Sequence, residues 1–476
     1  MRSMHKTTLS FYGGVGSVTG ANFLLAGEQT RLLVDCGLIQ GERFAHEANR
    51  EPFAYDPVSI DYLLVTHAHI DHIGRIPKLV KDGFIGKIFS TPQTLELSRL
   101  MLPDAFSVLR SELPHGEMPM YDEQDIEKAF SLWKGVPLHQ TFSAGEFEVV
   151  MKDSGHILGS VMFVITRQGQ GSTLNREKGR TLADTKQKRS IVFTGDLGNA
   201  PTPLLNEAET VAGATYLVLE SVYGDRNHEG EERRKERLAE VIRANAKRGG
   251  VLLIPCFSLE KTQVLLYEMD DLLAKGQIPK IPVFLDSPLA IKVTDVYRRY
   301  AESFNEEARA RLRKGDDIFS FPSLRITMDS KASSEIVHAQ SPKIIIAGSG
   351  MSAGGRILDH EQRFLGDPKN TILFIGYQAV GSLGRQIQEG VKKVRINHED
   401  IHIRARVETI TGYSSHMDSE HLLEFSARAV ESGALKKVFV VMGEPRSALF
   451  LAQRIRDYAG VDANVPELGE SVEIEL

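Results

Sequence analysis

The sequence predicts a layered α/β sandwich interrupted by a second, doubly wound α/β unit, and three observations carry that prediction. Through residue 207 the chain alternates short apolar runs with turns and occasional helical stretches. From 208 to 402 the apolar runs become nearly continuous and are spaced by helical segments, as in a parallel sheet buried on both faces. From 403 to 476 the first rhythm returns and supplies one more strand and helix. Residues 1–207 and 403–476 are therefore read as one folding unit, divided by the insertion 208–402.

Within the first part, 22–25, 31–34, 63–65, 147–150, 161–166 and 191–193 read as strands, and 94–102 and 123–132 as helices. Residues 167–190 break the pattern: Arg176, Lys178, Arg180, Lys186, Lys188 and Arg189 stand against only Glu177 and Asp184. This stretch reads as a long, partly mobile hairpin loop; a basic arm on phosphates and a merely solvated loop are both open. In the insertion, 216–220, 251–255, 283–286, 344–347 and 371–375 read as strands. The helix 231–247 groups Leu238, Val241 and Ile242 on one face and ends at Gly249-Gly250. The last strand, 437–441, precedes a helix at 447–458.

At 476 residues the chain is too long for a single ordinary core. Its 42% hydrophobic and 25% charged content is that of a soluble globular protein. No apolar run reaches about eighteen residues, which excludes a membrane-spanning helix, and the first residues lack a signal-peptide core. The only cysteines, Cys36 and Cys256, lie in apolar strands and read as free buried thiols of a reducing, cytoplasmic setting. A net charge of −6 excludes a surface of general positive potential. A nucleic-acid substrate would have to be drawn by metals and local Lys/Arg clusters.

The most informative motif is Thr66-His67-Ala68-His69-Ile70-Asp71-His72, directly after the apolar run Leu63-Leu64-Val65. His67 and His69 point the same way in extended backbone. As the chain turns helical, Asp71 and His72 can face a second point close by, which is what a paired metal site needs. Three of only 15 histidines within six positions make chance clustering a poor account. The same placement after a strand marks His156, Asp196 beside Gly195, and His416 in Thr411-Gly412-Tyr413-Ser414-Ser415-His416. His67, His69 and His156 would hold one zinc. Asp71 and His72 would hold the other, with Asp196 bridging. Spacing leaves open whether His416 is a ligand or an acid.

The run His67–His72, followed by His156 and Asp196 and preceded by Asp35 in Leu32-Leu33-Val34-Asp35-Cys36-Gly37, resembles the signature of the metallo-β-lactamase superfamily. More narrowly, from about Gly13 to its end the chain is similar to the β-CASP nucleases, which include RNase J and the nuclease subunit of the polyadenylation machinery. The resemblance implies an αββα sandwich with an inserted β-CASP domain, two Zn2+ ions and a water they activate for hydrolysis of RNA phosphodiester bonds. It makes Asp35 an acid supporting the ligands, His416 in Ser414-Ser415-His416-Met417-Asp418 the proton donor, and Glu220 in Glu220-Ser221-Val222-Tyr223-Gly224 its partner. Asp71 is a further candidate in proton transfer.

Two departures stand out. Met442 occupies a position where RNA-cleaving relatives carry a zinc-binding histidine, which leaves the second zinc one ligand short. The DNA-processing branch is apolar there. Glu260-Lys261 stands where many relatives have Gly-Arg. RNA is the expected substrate. The alternatives are a DNA nuclease of the same family, a non-catalytic RNA-processing scaffold, and a thioester or lactam hydrolase. Endonuclease and exonuclease action are both open, as is oligomeric state, a homodimer included.

Parallel α/β sheets bind ligands at the carboxyl ends of their strands, and five tails of the insertion are polar or glycine-rich. They are Glu220-Ser221, Phe257-Ser258, Asp286-Ser287-Pro288, the loop from Gly348, and Gly376-Tyr377-Gln378. In Gly348-Ser349-Gly350-Met351-Ser352-Ala353-Gly354-Gly355-Arg356, backbone N–H groups at a helix start suit a phosphate. Arg356 and His360, four apart, would reach one phosphodiester from a shared face. Gly381-Ser382-Leu383-Gly384-Arg385 reads as a second such loop, with Ser382 and Arg385 as contacts. Ser349, Gly350 and Ser352 complete the candidates for substrate binding.

Overall fold

In the strand Lys6–Gly13, Leu9 and Phe11 are buried on one side while Thr8 and Tyr12 lie half-buried on the other, the period-two alternation of a pleated strand. The computed structural model, which describes residues 6–41, 44–113, 116–168, 188–376, 378–379, 381–431 and 433–476, builds this strand into the first of three large sheets. That sheet runs Ser471–Glu475, Lys6–Gly13, Asn22–Ala26, Arg31–Val34, Tyr62–Leu64, Lys87–Ser90, Trp133–Gly135. The second runs Asp462–Asn464, Lys437–Val441, Tyr216–Glu220, Ser190–Phe193, Val161–Arg167, Phe147–Asp153, Phe142–Ala144.

The two sheets face each other across an aromatic core. Phe11 meets Phe439 at 5.4 Å between ring centroids, and Phe23 meets Phe193 at 6.2 Å. The long helix Pro92–Glu112 packs on the outer face of the first sheet, started by Thr91, whose side chain accepts from the Thr94 amide. This is the expected sandwich.

The third sheet is wholly parallel, in the order Leu324–Ile326, Val283–Asp286, Lys343–Ala347, Val251–Pro255, Thr371–Phe374, Arg406–Thr409. Its central strands are buried throughout, as near-continuous apolar runs require. The chain leaves the neighbouring strands Val251–Pro255 and Lys343–Ala347 in opposite directions along the sheet. The loops after them, Cys256–Ser258 and Gly348–Arg356, therefore flank a switch point.

Two strands sit elsewhere than expected. Tyr216–Glu220 belongs to the sandwich, paired parallel to Ser190–Phe193 and Lys437–Val441, and Arg406–Thr409 belongs to the inserted sheet. The inserted sheet thus begins at Val251 and runs past 402. An apolar strand between parallel neighbours has the same composition in either sheet, so the pattern alone could not assign it. The helix expected at 447–458 is Pro445–Arg454 continued by a π-helical turn, Ile455–Ala459. Cys36 and Cys256 are free and buried. Among the described residues no helix is long and apolar enough to cross a membrane. Of the basic stretch 167–190, residues 169–187 lie outside the described residues, as does Tyr377.

Candidate active site

The strand Tyr62–Leu64 ends in a loop that delivers His67 and His69, and the short helix Ile70–Ile73 that follows delivers Asp71 and His72. The hairpin between Phe147–Asp153 and Val161–Arg167 contributes His156. The strand Ser190–Phe193 leads into Gly195-Asp196, where Gly195 adopts φ +52° and a Cβ would meet Thr66 Cβ at 2.7 Å. Only glycine lets Asp196 approach the histidine loop this closely.

Four donors converge. His69 Nδ1 lies 3.1 Å from His67 Nε2 and 3.2 Å from His156 Nε2. Asp196 Oδ2 lies 3.4 Å from His67 Nε2 and 3.5 Å from His156 Nε2. The other ring nitrogens are fixed from behind. His67 Nδ1 faces Thr66 Oγ1 at 3.0 Å, and His156 Nδ1 faces the Ser415 carbonyl at 3.1 Å. Thr66 Oγ1 in turn donates to Asp35 Oδ2 at 2.8 Å. Such outer contacts orient an imidazole so that its remaining nitrogen faces an ion. Burial holds His67, His69 and His156 below the usual imidazole range, so they are neutral and can offer lone pairs.

A second set adjoins the first. His72 Nε2 is buried without a hydrogen-bond partner, 3.5 Å from Asp196 Oδ1 and 3.9 Å from Asp71 Oδ2. Its Nδ1 lies 2.7 Å from Asp35 Oδ2, which turns Nε2 toward the two carboxylates. Asp196 thereby offers one oxygen to each set. Burial would raise Asp196, but His72 and His416 hold it well below the usual carboxylate range. Met442 follows the strand Lys437–Val441 at φ +49° and is buried in the apolar core between the two sheets.

His416 stands beside both sets, its Nδ1 3.3 Å from Glu220 Oε2 and 3.8 Å from Asp196 Oδ2. Burial alone would lower the imidazole, but these two carboxylates outweigh it and leave His416 above its ordinary value. Glu220 is fully buried at the end of its strand and accepts the Leu197 amide at 2.6 Å.

The predicted phosphate contacts fare differently. Arg356 and His360 do converge on one anion, as their spacing demands, but that anion is the buried carboxylate of Asp286. Arg356 Nη1 and His360 Nε2 each reach it at 2.7 Å, and Arg356 also donates to the Thr327 and Met328 carbonyls. Burial would raise Asp286, yet these contacts with Ser333 and Thr327 hold it at about 2. Both residues are therefore spent on holding the helix Arg356–Phe364 to the strand Val283–Asp286, a partner some seventy residues away that no local pattern reveals.

Ser352 is buried and donates to Glu361. Ser382 caps the helix Leu383–Gln388, and Arg385 pairs with Glu389 at 2.6 Å. Gly350 is buried, its carbonyl accepting from Gln378 at 2.9 Å. Ser349, half-buried, keeps its hydroxyl at the rim and accepts the Ala353 amide at 2.9 Å.

Residues beyond the sequence-derived set also reach the centre. His228 Nε2 donates to the His416 carbonyl at 3.0 Å, and Lys261 Nζ donates to the Tyr413 carbonyl at 3.3 Å. Burial lowers the Lys261 ammonium to about 8. Before it, Glu260 sits in a tight γ-turn (φ +65°, ψ −57°) closed by the Lys261 amide on the Leu259 carbonyl at 2.9 Å. A side chain is rarely tolerated in that conformation. Here the Glu260 carboxyl, raised by burial to about 7, accepts from Tyr297. The departure at Glu260-Lys261 could have pointed to Lys261; nothing local marks His228.

Two adjoining His/Asp donor sets at the strand ends of a two-sheet sandwich define a metal-dependent hydrolase of the metallo-β-lactamase architecture. Comparison with known proteins agrees: residues 16–140 match the Metallo-beta-lactamase superfamily, 262–387 the Beta-Casp domain, and 400–466 the Zn-dependent metallo-hydrolase RNA specificity domain. The chain is 33% identical to Ribonuclease TTHA0252 of Thermus thermophilus, over 97% of this chain and 99% of that one. This chain belongs to the β-CASP family. It is also 29% identical to the transcription termination factors FttA of Methanosarcina mazei and Pyrococcus abyssi, over 93% and 95% of this chain and 68% and 69% of theirs. A crystal structure of a protein of unknown function from Enterococcus faecalis shares the fold, with TM-score 0.54 and 12% identity over 98% of this chain and 100% of that chain.

Proposed function

We propose that this chain is a zinc-dependent ribonuclease that hydrolyses RNA phosphodiester bonds at the paired His/Asp centre. The observation that carries the reading is the division of Asp196, one oxygen toward His67, His69 and His156 and the other toward His72 and Asp71. A tetrahedron of donors about 2.0–2.1 Å from zinc has edges of about 3.3 Å. The His67–His69, His69–His156, His67–Asp196 and His156–Asp196 separations run from 3.1 to 3.5 Å, and all four donors lie within 4.8 Å of one another. The second set offers three donors and ends in a buried nitrogen without a partner, which fits a second, more weakly held ion. Bound there, two zinc ions would supply Lewis acidity and a water acidic enough to be hydroxide near neutral pH.

The protein's own residues supply the rest. Asp35 fixes His72 and Thr66 so that the donors meet without reorganisation. His416, kept protonated by Glu220 and Asp196, is placed to give its proton to the leaving oxygen. Lys261 and the Ser349 rim supply donors to the phosphate chain entering between sandwich and insertion. RNA is favoured as substrate by the matched RNA specificity domain at 400–466 and by the ribonuclease relative that spans the whole chain.

The test is incubation of the zinc-loaded protein with end-labelled RNA and DNA of the same sequence, with and without chelator. Metal-dependent shortening of the RNA is expected. Cleavage of DNA alone, or cleavage unaffected by chelator, would overturn the reading.

A further inference from the structure

The turn Thr411–Tyr413, three residues ahead of His416, is gripped by the inserted unit at the Gly412 carbonyl, the Tyr413 carbonyl and the Tyr413 hydroxyl. Arg234, on the helix Glu231–Arg248, donates Nη1 to the Gly412 carbonyl at 2.9 Å. Its Nε and Nη2 donate to Glu268 Oε1 at 3.1 and 2.5 Å. Glu268, on the helix Lys261–Ala274, accepts the Tyr413 hydroxyl on its other oxygen at 2.5 Å. The Arg234 guanidinium lies 5.0 Å from the Tyr413 ring centroid, and Lys261 takes the Tyr413 carbonyl. A Cβ on Gly412 would stand 3.0 Å from the Glu229 carbonyl oxygen and 3.1 Å from Arg234 Cβ, so glycine lets the turn press against the helix.

Stability is a poor explanation for this arrangement. Arg234, Glu268 and Tyr413 are all buried. A buried ion pair gives up hydration that its mutual attraction barely offsets, and apolar residues of the same volume often serve stability as well or better. What an apolar cluster could not do is fix a peptide carbonyl and a phenol hydroxyl in one orientation. The grip acts on the turn that leads to His416, whose carbonyl is held by His228 and whose ring must stay at Glu220.

We propose that Arg234 and Glu268 are positioning residues for proton delivery, clamping the Thr411–Tyr413 turn so that the His416 ring stays aligned with the leaving oxygen. This rests on the reading of His416 as the proton donor. It also makes the inserted unit a working part of the reaction, because both clamping residues lie on its helices. Their side-chain hydrogen bonds run to each other and to the turn.

The experiment compares Glu268→Gln, the apolar pair Arg234→Met with Glu268→Met, and His416→Ala on two substrates. One is RNA, whose alkoxide leaving group needs a proton. The other is bis(p-nitrophenyl) phosphate, whose phenolate leaves without one. Glu268→Gln and the double variant are expected to lower kcat on RNA by up to about a hundredfold with KM little changed. Hydrolysis of the aryl ester and zinc content should stay within about twofold of the parent, and His416→Ala should show the same selectivity more strongly. Equal losses on both substrates, unchanged RNA cleavage, or zinc loss in the clamp variants would overturn the proposal. If the clamp variants lose both activities while His416→Ala stays selective, the clamp alone is refuted. If His416→Ala itself slows both substrates alike, the acid assignment falls and the clamp with it. Should the double variant not fold, the near-isosteric Glu268→Gln still decides.

Discussion

His69 is the residue on which the first donor set turns, since its Nδ1 is within 3.2 Å of both other histidines. His69→Ala should therefore lose metal and cleavage together while circular dichroism remains that of the parent; a metal-free variant with full activity would refute the two-zinc reading. His416 answers a different question, because it also gathers with Asp196 and Glu220 in a group that could itself hold an ion. If its role is proton transfer, His416→Ala keeps its zinc and loses about 10²- to 10⁴-fold in kcat and kcat/KM together. Glu220→Gln, acting behind it, should cost roughly ten- to a hundredfold. Elemental analysis separates the cases, since zinc loss in His416→Ala would make it a ligand. Met442 bears on the second set. Replacing it by histidine should tighten that ion, read as a higher chelator concentration needed to strip the second equivalent, and an unchanged titration would show that the position lies out of reach.

At the scale of elements, what was legible in the sequence was what is local. His67 to His72 lie on one strand end and one helical turn, so their convergence follows from backbone geometry. His156 and Asp196 were found because each follows an apolar strand; His416, which comes after the half-exposed strand Arg406–Thr409, was carried by its motif. Contacts set by tertiary structure were not legible: the spacing of Arg356 and His360 foretold a shared anion but not that Asp286 would be it. Likewise the pattern of Tyr216–Glu220 foretold a doubly buried strand but not which sheet would bury it. The same loop hides another distant partner. Ser352 donates to the buried Glu361, whose second oxygen has no partner and whose carboxyl burial raises to about 8. In the unfolded chain such a group titrates near about 4.3. The folded protein therefore holds a proton that the unfolded one has released, a stabilisation complete below about pH 4 and lost as pH rises through about 8. Thermal melts of the parent from about pH 5 to 9 should fall more steeply than those of Glu361→Gln, which keeps a donor and carries no charge. Parallel curves would mean that Glu361 is ionised in the folded state.

Over the whole molecule, a polyanion must be drawn to a protein of net charge −6, so the location of unspent positive charge matters more than its total. Many basic side chains near the centre are already committed: Arg356 to Asp286, Arg234 to Glu268, Arg385 to Glu389. The base of the basic hairpin is committed too, with Arg167 on Glu146, Lys188 on Glu148 at 3.1 Å and Arg189 on Glu475 at 2.5 Å. Lys261 Nζ, held on the Tyr413 carbonyl, is the basic group beside His416, and by sequence Arg176, Lys178, Arg180 and Lys186 stand in 169–187 against Glu177 and Asp184. If those four cations meet RNA phosphates, each releases counterions and adds about 0.7 to the slope of log affinity against log salt for a single strand. Replacing 169–187 by a short glycine-serine link should weaken RNA binding at low salt and flatten that slope by up to about 3, with kcat at saturating substrate unchanged. The strands on either side are paired to each other from Phe163 to Thr166, so the shortened hairpin keeps its register. An unaltered slope would assign the attraction to the metals and to basic groups outside 169–187, and the basic stretch would then be a solvated loop.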